Sequence, residues 1–162
     1  MEVVAIRSKI DTYIIALVSV ALILTVIITF VLRPTRMERT ERHFVRDYEL
    51  LMTTAHFLMD SSHRHVHFWR REMENGEKVV FNVGRIEIDD IAVVEALQEL
   101  GNRGYNVIVK DGNAITFQRW ANRHTGWGMA FSIDGNEPTL SSVTIVTLEP
   151  LSKPSWYFYV SQ

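Results

Sequence analysis

The chain contains no cysteine. That excludes disulfides, thiol nucleophiles and thiolate metal sites together, and it fits either side of a membrane. There is no Asn-x-Ser/Thr acceptor, so glycosylation gives no hint of compartment. No G-x-S-x-G elbow, H-E-x-x-H pair or G-x-x-x-x-G-K phosphate loop occurs. Gly126-Trp127-Gly128 is a G-x-G in form alone, because no helix follows to receive a phosphate. No internal repeat or low-complexity segment is present. Charge, proline and glycine are all missing from one long run, TYIIALVSVALILTVIITFVL, Thr12 to Leu32.

A helix of that length crosses the roughly 30 Å hydrocarbon core of a bilayer at about 1.5 Å per residue. Inside lipid it satisfies its own backbone hydrogen bonds. A buried core helix would interleave more polar residues than Ser19, Thr25 and Thr29. A cleaved signal peptide would be shorter and end in small residues; this run ends Phe30-Val31-Leu32-Arg33-Pro34. A single-pass, uncleaved membrane anchor is therefore expected. The basic residues Arg33, Arg36, Arg39, Arg42 and Arg46, taken literally under the positive-inside rule, place the rest of the chain in the cytoplasm. The short basic tail with Arg7 and Lys9 favours the reverse. The expectation adopted is a soluble domain on the extracytoplasmic side.

Four segments follow. Residues 1–11 are a short tail, 12–32 the transmembrane anchor, 33–62 a basic juxtamembrane amphipathic helix, and 63–162 a small domain with one core. The net charge of −2 hides an asymmetry. Basic residues outnumber acids from Arg33 to Arg71, and acids outnumber them beyond. The basic stretch suits anionic lipid headgroups. Nucleic acid is not an expected partner, because the distal part is acidic and the arginines alternate with glutamates.

From Arg36 to about Asp60 the spacing predicts a helix. Val45, Tyr48, Met52, Ala55 and Met59 form its apolar stripe, widened by Phe44, Leu51 and Leu58, with charges on the other side. That stripe either packs on the sheet that follows or pairs with another copy or a membrane partner. Strands are expected over His65–Arg71 and Lys78–Ile88, around an Asn75-Gly76 turn, with Gly84 able to host a bulge. Asp89-Asp90 opens a helix whose apolar side is Ile91, Val94 and Leu97 with Val93 and Leu100; Gly101 or Gly104 ends it. Tyr105–Val109 and Ala114–Trp120 flank an Asp111-Gly112 turn. Trp127, Met129, Phe131 and Ile133 alternate with Gly128, Ala130, Ser132 and Asp134, as in a half-buried strand. Strands over Ser142–Leu148 and Trp156–Val160 close the chain. The fold class expected is α+β: transmembrane helix, linking helix, then a mainly antiparallel sheet with one further helix packed on it.

His63, His65 and His67 alternate, so on a strand all three imidazoles share a face. Such a face could bind Zn or Cu, with His56 as a further nitrogen, or charge as a unit near pH 6. Otherwise it is a solvated strand edge, and no other cofactor is expected. Arg119, Arg123 and His124 sit around one loop, which can carry catalysis and is otherwise solvated. Tyr157 and Tyr159, on one face of the last strand, together with Tyr48, Met52 and Met59 on the linking helix, are the expected interaction surface.

The layout of an apolar helix, an amphipathic helix and an antiparallel sheet resembles type IV pilin-like proteins. That family requires a Gly before the span and usually a Glu just inside it. Here Arg7-Ser8-Lys9-Ile10-Asp11-Thr12 precedes Tyr13, with neither, so no residue roles are carried over. The expected function is non-enzymatic: a membrane-anchored domain that binds another membrane protein, a second copy or a small ligand. A metal- or pH-responsive sensor is the alternative, and a membrane-tethered hydrolase the last.

Overall fold

The computed structural model describes residues 17–25, 34–72, 78–82, 88–121, 125–141 and 143–162. The chain divides into two compact units, Met1–Thr35 and Arg36–Gln162. In the first, residues 17–25 form helix α1, with Leu17, Val18, Val20, Leu22, Ile23 and Leu24 all exposed. Among the described residues no helix is long and apolar enough to cross a membrane. The rest of the Thr12–Leu32 run lies outside the described residues.

The second unit is α+β. It opens with helix α2 (Arg36–Asp60), then β1 (Val66–Glu72), β2 (Lys78–Asn82), helix α3 (Ile91–Asn102), β3 (Val107–Asp111), β4 (Ala114–Ala121), β5 (Gly126–Ser132), β6 (Ile145–Pro150) and β7 (Trp156–Ser161). The strands form one sheet in the order β2-β1-β3-β4-β5-β7-β6, and each neighbouring pair is antiparallel.

α2 buries Thr40, Phe44, Asp47, Leu51, Thr54, Ala55 and Leu58. The stripe is thus rotated from the one expected: Val45 is 65% exposed, and Tyr48, Met52 and Met59 lie on the margin of the core. The cause is Asp47, which counts as a solvent-facing charge by residue type and is buried. Phe44 meets Trp156 of β7, ring centroids 5.1 Å apart; Phe117 and Phe131 pack on the same indole at 5.6 and 5.1 Å. Tilted contacts of this kind suit aromatic quadrupoles.

Asp90 caps α3, its carboxylate accepting from the Ala92 amide at 2.8 Å. α3 buries Val93, Ala96, Leu97 and Leu100. Ile91 and Val94, expected inside, are exposed. The small Ala96 completes an i, i+3, i+4, i+7 stripe on which the helix approaches α2, and this leaves the other two outside. At its end Tyr105 N donates to Leu100 O and Gly104 N to Gly101 O, with Gly104 at φ +89°. That is a Schellman motif, which only a residue free of a Cβ penalty adopts cheaply.

In the β3–β4 hairpin Asp111 pairs with Ala114, so the turn is Gly112-Asn113 rather than Asp111-Gly112. Gly112 takes φ +61°, as the first central residue of a type II′ turn does. β5 is not half-buried: Gly128, Ala130 and Ser132 are buried along with Met129. It lies between β4 and β7, and a Cβ at Gly128 would collide with the Phe117 carbonyl oxygen. The Asn75-Gly76 turn, the Gly84 bulge and most of Val83–Ile88 fall outside the described residues.

Candidate functional site

Two polar clusters are built into this frame. The first lies where α2 hands over to β1. The last carbonyls of a helix lack partners and favour a cation, and α2 has no basic residue in its last turn. β3 supplies one. Lys110 Nζ donates to Leu58 O at 2.6 Å and Ser61 O at 2.7 Å. Burial lowers the Lys110 pKa below its ordinary value. The chain then turns on Ser61, whose Oγ accepts from the His63 amide at 3.2 Å. Asp111, 1% exposed, accepts from the Ser141 amide at 2.9 Å and the Ser141 hydroxyl at 2.5 Å. His65 Nδ1 stands 3.4 Å from the same carboxylate. Ser62, His63, His65, Lys110, Asp111 and Ser141 line an open cavity of about 350 Å³.

This chemistry does not make a nucleophile. A relay needs the imidazole between hydroxyl and carboxylate. Here the carboxylate stands between the other two, and Ser141 donates its proton to Asp111. The histidines are also not gathered as strand alternation suggested. β1 starts at Val66, so His63 and His65 precede it and only His67 lies in the strand. His56 is exposed on α2. Among the described residues no group of three or more His, Cys, Asp or Glu is placed to hold a metal ion. Burial lowers the His67 pKa.

The expected interaction residues part company too. Tyr157 is half-buried and Tyr159 fully buried, so the two tyrosines do not form a surface pair. Tyr48 packs edge-on against Phe44 at 5.4 Å, with the Lys153 ammonium 5.5 Å above its ring. Met52 and Met59 lie against the core. Arg123 and His124 lie outside the described residues.

The second cluster was missed in the sequence. Asp47 is buried on α2, its side chain wholly inaccessible. Arg46 Nε and Nη2 donate to its two oxygens, each at 2.7 Å. Arg103 Nη1 donates at 2.6 Å and the Tyr105 hydroxyl at 2.9 Å. Arg103 and Tyr105 flank Gly104, so the Schellman turn is what aims both at the carboxylate. Arg119 arrives from β4, where the register shifts between Gln118 and Trp120. Its guanidinium covers the Tyr105 ring at 4.7 Å and reaches within 3.9 Å of Asp47. Burial pushes the Asp47 pKa up, but the hydrogen bonds from Arg46, Arg103 and Tyr105 outweigh it, and the carboxyl sits below its ordinary value. Tyr105 is pushed above its usual range by burial and by the neighbouring carboxylate. A signal existed: Thr40, Phe44, Asp47, Leu51, Thr54 and Leu58 recur at alternating steps of four and three, which puts Asp47 on the inward seam.

No protein-family model, curated protein or solved structure matches this chain.

Proposed function

We propose that this chain is a single-pass membrane protein whose α+β domain binds a partner rather than catalysing a reaction. One observation carries the reading: the uncharged, proline-free and glycine-free run from Thr12 to Leu32, long enough to cross a bilayer. The helical, lipid-compatible character of residues 17–25 agrees with it. α2 is then the element that joins the anchor to the domain, and Arg36 and Arg39, in its first turn, lie beside the headgroups. The domain faces the extracytoplasmic side, and its partner is another membrane protein or a second copy. A binding role also fits the first cluster, where Ser141, Asp111 and His65 are arranged to hold a loop and not to move a proton.

Carbonate extraction tests the anchor. The full chain stays with membranes washed at high pH and is released by detergent, whereas release by carbonate alone would end the reading. Crosslinking in intact membranes tests the partner; a monomer with no crosslinked species removes the assembly role. Protease added to spheroplasts digests the domain if it lies outside.

A further inference from the structure

Asp47 is over-matched by cations. Its oxygens already accept four hydrogen bonds, from Arg46 twice, Arg103 and Tyr105. Arg103 also donates through Nε to Glu99 at 2.7 Å. That leaves Arg119. Its Nη1 is buried and has no hydrogen-bond partner among the described residues. Among the described residues three guanidiniums, with Arg119 at 3.9 Å from Asp47, therefore share two carboxylates, Asp47 and Glu99. His43, on the same side of α2, senses these charges. Its pKa lies below the ordinary value through burial, then through the charges of Arg119 and Arg46.

Each of the two outer guanidiniums keeps a nitrogen that no carboxylate engages. Arg46 engages Asp47 with Nε and Nη2, which leaves Nη1, and its side chain is 51% exposed. Arg103 engages with Nη1 and Nε, which leaves Nη2, and it is 32% exposed. A buried carboxylate thus holds two partly exposed guanidiniums in place, each with one nitrogen left over, and a third guanidinium lies 3.9 Å from the same carboxylate. Planar forks match the oxygens of a phosphate group better than a flexible ammonium does.

We propose that the corner formed by Arg46, Arg103 and Arg119 binds a phosphate-bearing anion, either free or as a lipid headgroup. Asp47 positions the arginines and does not touch the ligand. The proposal does not depend on the anchor reading, because the corner belongs wholly to the Arg36–Gln162 unit.

The test uses the full chain in a neutral detergent, with the arginine side-chain Nε resonances observed by NMR. Inorganic phosphate is titrated against chloride at equal ionic strength. In parallel, micelles are doped with phosphatidylglycerol or phosphatidylcholine. The expected result is a saturable shift of the Arg46 and Arg103 signals. Losing one charge-assisted donor pair weakens binding about tenfold, so Arg46→Gln and Arg103→Gln show that loss while Arg42→Gln, exposed on the same helix, does not. Saturation by phosphate with no response to either lipid identifies a soluble anion. Competition between phosphate and phosphatidylglycerol identifies a headgroup. The proposal is overturned if neither arm saturates, or if Arg42→Gln weakens binding as much as Arg46→Gln, which would mean diffuse charge. Should Arg103→Gln fail to fold, Arg46→Gln and Arg46→Lys carry the test, because Arg46 is half exposed.

Discussion

Replacing Asp47 by Asn keeps the size and the acceptor for Tyr105 but removes the charge that three arginines face. Arg46 and Arg103 are exposed enough to turn to water, and exposed pairs of that kind are worth about 0–1 kcal/mol. Arg119 is 14% exposed and cannot. A buried charge stripped of its partner costs about 3–5 kcal/mol. Its 3.9 Å separation from Asp47 argues for less than that range, so the expected loss is about 2–3 kcal/mol. For a domain of this size each kcal/mol moves the Tm by roughly 3–5 °C, which gives a drop of about 6–15 °C. The pH dependence has a definite sign. A carboxyl whose folded pKa is depressed stabilises fully above its unfolded value of about 3.9 and loses that contribution as pH falls through the folded value. Wild type therefore carries a component of acid destabilisation, below pH about 4, that Asp47→Asn lacks. Thermal unfolding in neutral detergent, followed by near-UV circular dichroism from pH 7 down to pH 3, reads both effects. A variant within 2 °C of wild type at neutral pH, with the same acid slope, would refute the reasoning.

Three further outcomes follow from the geometry. Gly128→Ala forces a Cβ onto backbone atoms, the Phe117 carbonyl and Gln118 Cα at 2.9 Å, neither of which can swing aside; we expect a loss of at least about 3 kcal/mol, seen as a collapse in Tm. Lys110→Met removes two charge-assisted bonds to the end of α2 and costs about 2 kcal/mol, with faster hydrogen exchange in the last turn of α2 than in its middle; unchanged exchange there would argue against the pinning role. Ser141→Ala removes the hydroxyl's hydrogen bond to the buried Asp111, and should lower stability by about 1–2 kcal/mol in the same unfolding assay.

The order of elements could be read from the sequence because it rests on local signals. Periodicity gives α2 within its observed bounds, Asp89-Asp90 marks the start of α3 with Asp90 as the actual cap, Gly101 or Gly104 marks its end, and alternation gives β5. What could not be read rests on contacts between distant segments. Residue type alone sends Asp47 outward; only the arrival of Arg103 and Tyr105, more than fifty positions later, makes its burial affordable. Ile91 and Val94 look like core residues until Ala96 is seen to set the approach of the helix. Residue type alone extends the strand alternation to His63 and His65, yet Lys110 and Ser61 fix the chain there in a turn. The smallness of Gly128 and Ala130 hid the fact that β5 is covered on both sides by its neighbours.

The position of α2 has a mechanical consequence. Its burial begins at once: Met37 packs against the core and Thr40 is inaccessible. Between Pro34 and Met37 there is only about 10 Å of contour. Tension applied to the chain ahead of Pro34 has almost no slack to take up, and it loads Phe44, Leu51 and Leu58 directly. A pull from that end would strip the helix from the sheet and rupture the domain, whereas a flexible leash would have let the domain ride free of the load.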